Sequence, residues 1–177
     1  MTIKRINKTF PNSKFINLKS RVGFTLIELI LYMALMSIFL IVLSELFIST
    51  LEVRKESEAT SSVEADGRYI LSRLSYDINR AQSVTVPPAA GNSDSTLTLV
   101  ISGSPSTYAQ VSGNLTLTNS LGTNNLNGSG STVSSLNFQR IGTGTAPTIK
   151  IDFTLTSATE RIGGSEIRNF TTTIGLR

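Results

Sequence analysis

The chain has 177 residues, with 16 Lys and Arg against 12 Asp and Glu, and it contains no His, Cys or Trp. The length suits one modest domain, and the absence of Cys excludes a disulfide framework and a thiol nucleophile. The usual zinc, copper and haem ligands are also missing, so we expect no metal, no cofactor and no enzymatic activity.

The net charge of +4 comes from the N-terminal segment. Residues 1–23 carry six basic side chains and no acidic one, whereas the rest of the chain has 10 basic and 12 acidic residues. The basic residues beyond this segment are scattered and form no stripe that could follow a phosphate backbone. The charge pattern therefore gives no clear signal for direct nucleic-acid binding.

The first 50 residues divide into a polar segment and an apolar one. Residues 1–23 are basic and have no apolar run that could form a core, which is typical of a cleaved leader. Residues 24–50 are strongly apolar, with no charge between positions 29 and 44. In a helix, the 21 steps from Phe24 to Glu45 span about 31 Å, close to the ~30 Å of bilayer hydrocarbon. We therefore predict that residues 24–50 are the transmembrane half of a long N-terminal helix.

An ordinary secretory signal peptide also joins a basic segment to an apolar one, but it fits poorly here. The apolar run is longer than the usual stretch of about 7–15 residues. No small-residue cleavage site of the Ala-x-Ala type follows it, because residues 51–55 are Leu-Glu-Val-Arg-Lys. We therefore expect any processing site to precede the apolar run.

Residues 51–82 are predicted to continue this helix as an amphipathic half. They contain no Pro and a single Gly. Apolar or small residues recur at helical steps of three or four, and those expected to pack against a sheet are Val63, Gly67, Ile70, Leu74 and Ile78. Gly67 costs about 1 kcal/mol relative to Ala in a helix, and its position in this stripe indicates close packing.

Residues 83–177 are rich in Gly, Ser and Thr and show the alternation of β-strands. The clearest strand has Ile149, Ile151, Phe153 and Leu155 on one face and polar residues between them, as a half-buried antiparallel strand requires. Residues 170–176 form a matching last strand, which a loop at 157–165 could join to it as a hairpin. Residues 119–131 are rich in Asn, Gly and Ser and are predicted to be a loop. The predicted fold class is α+β, with the long helix covering a C-terminal antiparallel sheet domain.

Glu28 places a carboxylate inside the predicted membrane segment. Such a group costs about 2.5 to 3.5 kcal/mol at bilayer depth, so it usually has a partner. Cleavage after Gly23 would supply one, because the new α-amino group of Phe24 is a cation near neutral pH. Glu28 could reach this amine in its own chain, since helix side chains lean toward the N-terminus. We favour the amine of a neighbouring subunit, where a matched pair in a low dielectric would set the register of assembly.

The string Gly-Phe-Thr-Leu-Ile-Glu at residues 23–28 resembles the processing site of the type IV pilin and pseudopilin superfamily. The resemblance implies a type IV pilin-like fold. It implies that a membrane-embedded prepilin peptidase cleaves after Gly23 and N-methylates Phe24, and that Glu28 is the assembly glutamate. The implied partners are this peptidase, other major and minor pilins or pseudopilins, and an inner-membrane assembly platform.

Three further segments favour a minor subunit. Residues 67–81, 136–140 and 170–177 are similar to segments of J-type minor pseudopilins of type II secretion and of W-type minor pilins. We therefore expect a subunit that initiates or caps a type IV pilus or a secretion pseudopilus. Basic residues before the apolar run and acidic ones after it predict a single-pass protein of the inner membrane. Its N-terminus would be cytoplasmic, and its head periplasmic or extracellular.

The sequence departs from major pilins at two points. Major pilins commonly have Pro where this chain has Glu45, which we interpret as a residue at the level of the outer headgroups. Many also carry a C-terminal disulfide, which a chain without Cys cannot form. Tyr32, inside the apolar run, is interpreted as a packing residue. The alternative function is a signal-anchored, monomeric surface adhesin that uses its head for recognition.

Overall fold

The computed structural model describes residues 23–142 and 147–177, so the predicted leader lies outside the described residues except for Gly23. These two stretches contain one helix, α1 (Leu26–Arg80). It is followed by nine strands, β1 (Ser83–Val86), β2 (Ser93–Asp94), β3 (Leu97–Ile101), β4 (Ser104–Val111), β5 (Asn114–Asn119), β6 (Gly122–Asn125), β7 (Ser131–Ile141), β8 (Thr148–Ser157) and β9 (Ile167–Gly175).

The architecture is α+β and type IV pilin-like, as the sequence predicts. One long N-terminal helix packs on antiparallel sheets, and the chain divides into two units, of which the first ends at Ser44 and the second comprises Glu45–Arg177. The five-stranded sheet has the order β1-β3-β4-β5-β6, and the four-stranded sheet has the order β2-β7-β8-β9. Each pair of neighbouring strands is antiparallel.

The first unit contains the apolar part of α1. An 18-residue window of this helix has a mean hydropathy of 2.7 and no residue buried within the protein, so its length and composition are sufficient to cross a membrane. Its hydroxyl groups bond back to the helix: Ser37 Oγ donates to the Met33 carbonyl and Ser44 Oγ to the Leu40 carbonyl, each at 2.8 Å. These two polar groups therefore need no water.

The second unit buries the apolar stripe of α1 against the two sheets. The stripe residues without exposed surface are Val63, Ile70, Leu74 and Ile78. They join a core that includes the alternate residues of β8, which are buried as the sequence pattern predicts. Strand β8 lies between β7 and β9. Its polar residues alternate with the buried ones, so they face away from this core.

Gly67 allows Phe170 of β9 to pack closely against α1. A Cβ built on Gly67 would lie 2.2 Å from Cζ of Phe170 on β9. The Phe170 ring stacks on Phe153 of β8, with ring centroids 5.2 Å apart and an interplanar angle of 14°. Any side chain at position 67 would therefore have to displace a stacked aromatic ring.

Ion pairs hold the chain between β8 and β9 against the helix. Arg161 Nη1 lies 3.1 Å from Glu56 Oε1 on α1, and Arg161 also pairs with Glu166. Arg168 bridges Glu166, at 3.0 Å, and Glu64 of α1, at 2.7 Å. Each exposed pair contributes little alone, but the linked set gives the predicted β8–β9 hairpin a defined place on α1.

The prediction of a loop at residues 119–131 is wrong in its central part. Residues 122–125 form β6, and the following Leu126 and Asn127 are buried. The Asn127 side chain accepts a hydrogen bond from the Leu115 N–H at 2.9 Å and donates to the Ser131 carbonyl at 2.7 Å. A turn-rich composition does not reveal such contacts, because they depend on residues that folding brings together.

Replacing Gly67 by Ala is expected to lower the free energy of unfolding by about 1 to 2 kcal/mol, despite the better helix propensity of Ala. The added methyl group must push Phe170 off Phe153. Urea unfolding of the full chain in detergent micelles measures the change.

The matched control is Gly163→Ala, since a Cβ there meets no atom within 4 Å. It should leave stability nearly unchanged. Adding Phe170→Leu to Gly67→Ala should recover part of the loss by making room. Equal stability of Gly67→Ala and the wild type would show that the contact with Phe170 imposes no restriction.

Candidate processing and assembly site

The bond between Gly23 and Phe24 lies in exposed chain ahead of α1. Neither residue is helical, and no atom lies within 4 Å of a Cβ built on Gly23. Phe24 is 76% exposed. A protease that binds extended backbone would meet no obstruction here from the described residues, and Gly offers the least side-chain hindrance.

Thr25 fixes the point at which the helix begins. Its Oγ1 accepts a hydrogen bond from the Glu28 N–H at 3.3 Å, and its carbonyl accepts one from the Leu29 N–H at 3.1 Å. Thr25 is therefore the N-cap residue, and Thr-x-x-Glu is the spacing of a capping box. The sequence analysis did not assign this role to Thr25, although the Thr-x-x-Glu spacing indicates it. The cap places the Gly23–Phe24 bond immediately before a rigid helix.

Glu28 finds a hydrogen-bond donor in its own helix. The hydroxyl of Tyr32, one turn further on, donates to Glu28 Oε1 at 3.2 Å. The rings of Tyr32 and Phe24 meet edge to face, with centroids 6.2 Å apart and an interplanar angle of 79°. In the uncleaved chain the Phe24 nitrogen belongs to a peptide bond, so it offers no ammonium group. Tyr32, interpreted above as a packing residue, contacts Phe24 with its ring and also donates a hydrogen bond to Glu28.

The hydrogen bond from Tyr32 uses only part of the Glu28 carboxylate. A carboxylate can accept about four hydrogen bonds, and Tyr32 occupies one such position on Glu28. Within the described residues, no group of three His, Cys, Asp or Glu side chains is placed to hold a metal ion. Glu28 therefore retains acceptor capacity for a cation.

A comparison with known protein families bears on the resemblance at the start of α1. The family model described as the prokaryotic N-terminal methylation motif matches residues 19–44. The match supports the type IV pilin and pseudopilin superfamily. It confirms the resemblance noted at residues 23–28, and this motif implies processing by a prepilin peptidase and assembly with other pilins. No curated protein and no solved structure shows a significant match to the chain.

Two carboxylates on α1 attach the helix to the head of the pilin-like chain. Asp77 is buried and accepts a hydrogen bond from the hydroxyl of Tyr108 on β4, while Arg73 Nε lies 2.9 Å from the same carboxylate. Asp66 accepts from the Gly128 N–H at 3.0 Å and from Ser131 Oγ at 2.6 Å. The sequence analysis did not identify either residue.

The spacing of these two acids in the sequence indicates that they have a role. Asp66 and Asp77 are 11 residues apart, which is close to three helical turns, so they share a face. That face adjoins the apolar stripe. An acid beside a buried stripe is expected to need a partner from the surface that the stripe covers.

Tyr108→Phe is expected to lower the free energy of unfolding by about 1 to 3 kcal/mol, because the buried Asp77 carboxylate loses a donor. The same measurement on Tyr69→Phe is the control. The Tyr69 side chain is exposed, so removing its hydroxyl should leave the free energy of unfolding unchanged. Equal losses in the two variants would contradict this role for Tyr108.

The pH dependence of stability gives a second measurement. Burial raises the pKa of Tyr108, and the hydrogen bond to Asp77 and its charge act in the same direction. A tyrosine whose pKa is raised by folding stabilises the fold fully below its ordinary value of about 10, and this contribution is lost as the pH rises further. The free energy of unfolding of the wild type should therefore fall above about pH 10, and the fall should be smaller in Tyr108→Phe.

Proposed function

We propose that the chain is a minor pilin or pseudopilin, a structural subunit that initiates or caps a type IV pilus or a type II secretion pseudopilus. A prepilin peptidase would cleave it after Gly23 and N-methylate Phe24. The observation that carries the proposal is the methylation motif at residues 19–44, which runs into a helix apolar enough to cross a membrane.

Processing creates a positive charge that could pair with Glu28 and that the precursor does not have. Cleavage would turn the Phe24 nitrogen into an ammonium group beside an apolar helix, where an isolated charge is costly. Glu28 retains acceptor positions beyond the one that Tyr32 uses. Pairing the amine of one subunit with Glu28 of its neighbour would satisfy both charges and fix the subunit register.

The apolar half of α1 supports assembly by bundling. Its apolar side chains are exposed on all sides, so this segment has no packing partner among the residues that the structure describes. In the membrane it would be surrounded by lipid, and in a filament by the same segments of other subunits. Because both surroundings are apolar, the transfer needs no exposure of apolar surface to water.

The charge pattern supports an inner-membrane location before assembly. Six basic residues precede the apolar run, and Glu45 and Glu52 follow it. This asymmetry favours a cytoplasmic N-terminus and a head on the opposite side of the membrane. The partners would be the peptidase, the assembly platform, and the major and minor subunits of the same system.

The minor role rests on residues 67–81, 136–140 and 170–177, which are similar to J-type minor pseudopilins and W-type minor pilins. In the structure, the first segment contains most of the stripe and Asp77, the second lies in β7, and most of the third lies in β9. The three segments therefore belong to the helix and to the sheet that it covers. An adhesin that remains a membrane-anchored monomer is the alternative, and its leader would stay attached.

The test separates processing from assembly in cells of the native host. Gly23→Val should block cleavage, because a branched side chain would enter the protease cleft, whereas Gly23→Ala should only slow it. Glu28→Leu should be cleaved nearly as well as the wild type but fail to enter the filament. Mass spectrometry of the N-terminus and the amount of subunit in sheared filaments or pseudopili provide the two measurements.

Each outcome bears on one part of the proposal. A mature chain that keeps Met1 and functions normally would falsify processing and favour the anchored adhesin. Wild-type incorporation of Glu28→Leu would remove the pairing mechanism. Ile30→Leu, an apolar exchange in the same segment, is the control and should be processed and incorporated normally.

A further inference from the structure

Tyr32 is an unexpected polar residue within the apolar part of α1. Its hydroxyl donates to Glu28 Oε1 at 3.2 Å, and its ring meets the edge of Phe24 with centroids 6.2 Å apart. Glu28 and Tyr32 are four residues apart and therefore share one face of α1, and the ring of Phe24, which precedes the helix, contacts Tyr32. A phenol and a carboxylate each carry a polar group that hydrocarbon cannot satisfy, and here each satisfies the other.

We propose that Tyr32 is a positioning residue, which holds the Glu28 carboxylate in place for the terminal amine of a neighbouring subunit. This inference rests on the proposed function and specifies how the assembly site is organised. The hydroxyl engages Oε1 only, and Glu28 Oε2 has no partner among the described residues. The docked amine would therefore bind Oε2 while Tyr32 keeps its bond to Oε1.

Two contacts limit the freedom of Glu28 before a neighbour arrives. Thr25 Oγ1 fixes its backbone N–H, and Tyr32 fixes its carboxylate. An unrestrained glutamate has several side-chain rotamers and could bend toward the polar headgroups instead. Restricting it in advance reduces the entropy that docking must remove, which favours association.

The ring of Tyr32 has a separate effect from its hydroxyl. The edge-to-face contact with Phe24 would survive in Tyr32→Phe, whereas the hydrogen bond to Glu28 would not. This variant therefore removes the positioning contact alone. Its matched control is Tyr69→Phe, the same change on the same helix, at an exposed residue beyond the apolar run.

The first experiment measures processing and incorporation of the full chain in the native host. Tyr32→Phe should be cleaved and methylated like the wild type, and its incorporation should fall roughly three- to tenfold, the effect of one hydrogen bond in a membrane. Tyr69→Phe should behave as the wild type in both measurements.

The second experiment observes the carboxyl group directly. Infrared spectra of the processed protein, which begins at Phe24, are recorded in detergent micelles after labelling with ¹³C-glutamate. Subtracting the spectrum of the Glu28→Leu variant identifies the carboxyl band of Glu28. Tyr32→Phe should shift this band, because its hydrogen bond is lost, while Tyr69→Phe should not. A role in helix packing alone would leave the band in place.

The outcomes distinguish this inference from the proposed function. An unchanged Glu28 band, or wild-type incorporation of Tyr32→Phe, overturns the positioning role even when Glu28→Leu is excluded from filaments. Wild-type incorporation of Glu28→Leu rejects the pairing mechanism itself, and the role of Tyr32 falls with it. A shifted band together with reduced incorporation of Tyr32→Phe, and neither change in Tyr69→Phe, supports the inference.

Discussion

A carboxylate in an apolar helix must have a hydrogen-bond donor, and this requirement governs the N-terminal segment. Within a bilayer Glu28 cannot obtain its donor from water, and its own N–H is already bound by the side chain of Thr25. In the uncleaved chain Tyr32 supplies the donor. On the proposed function, cleavage after Gly23 adds a second and stronger one, a terminal ammonium, so that a single proteolytic step gives Glu28 an ionic partner beside Tyr32.

The second unit meets the same requirement by a different route. Asp66 and Asp77 lie on the face of α1 that covers the sheets, and both take their donors from the head, Asp66 from the stretch after β6 and Asp77 from β4. Their hydrogen bonds are directional, whereas the burial of apolar surface is not. The acids thus fix the register of α1 on the sheets, and the stripe supplies most of the burial.

The sequence predicted those features whose pattern is local. The apolar run from Phe24, the helical stripe and the alternation of β8 each repeat within a few residues, and the structure contains all three. The pairing of Asp77 with Tyr108 joins residues 31 positions apart, and the stretch after β6 depends on contacts of Asn127 with a different strand. Such pairings follow from topology, which no local period specifies. Thr25 is a different case, since its capping spacing was visible and was not used.

The assembly pair proposed here is chemically general, because any processed subunit with a terminal amine would satisfy Glu28. An ammonium and a carboxylate carry no information about which subunit is the neighbour. The order in which subunits join must therefore depend on surfaces beyond the apolar segment. The methylation motif ends at Ser44, and the second unit begins at Glu45. On the proposed function, the first unit would supply a common means of association, and the second would determine the place of this subunit among its neighbours.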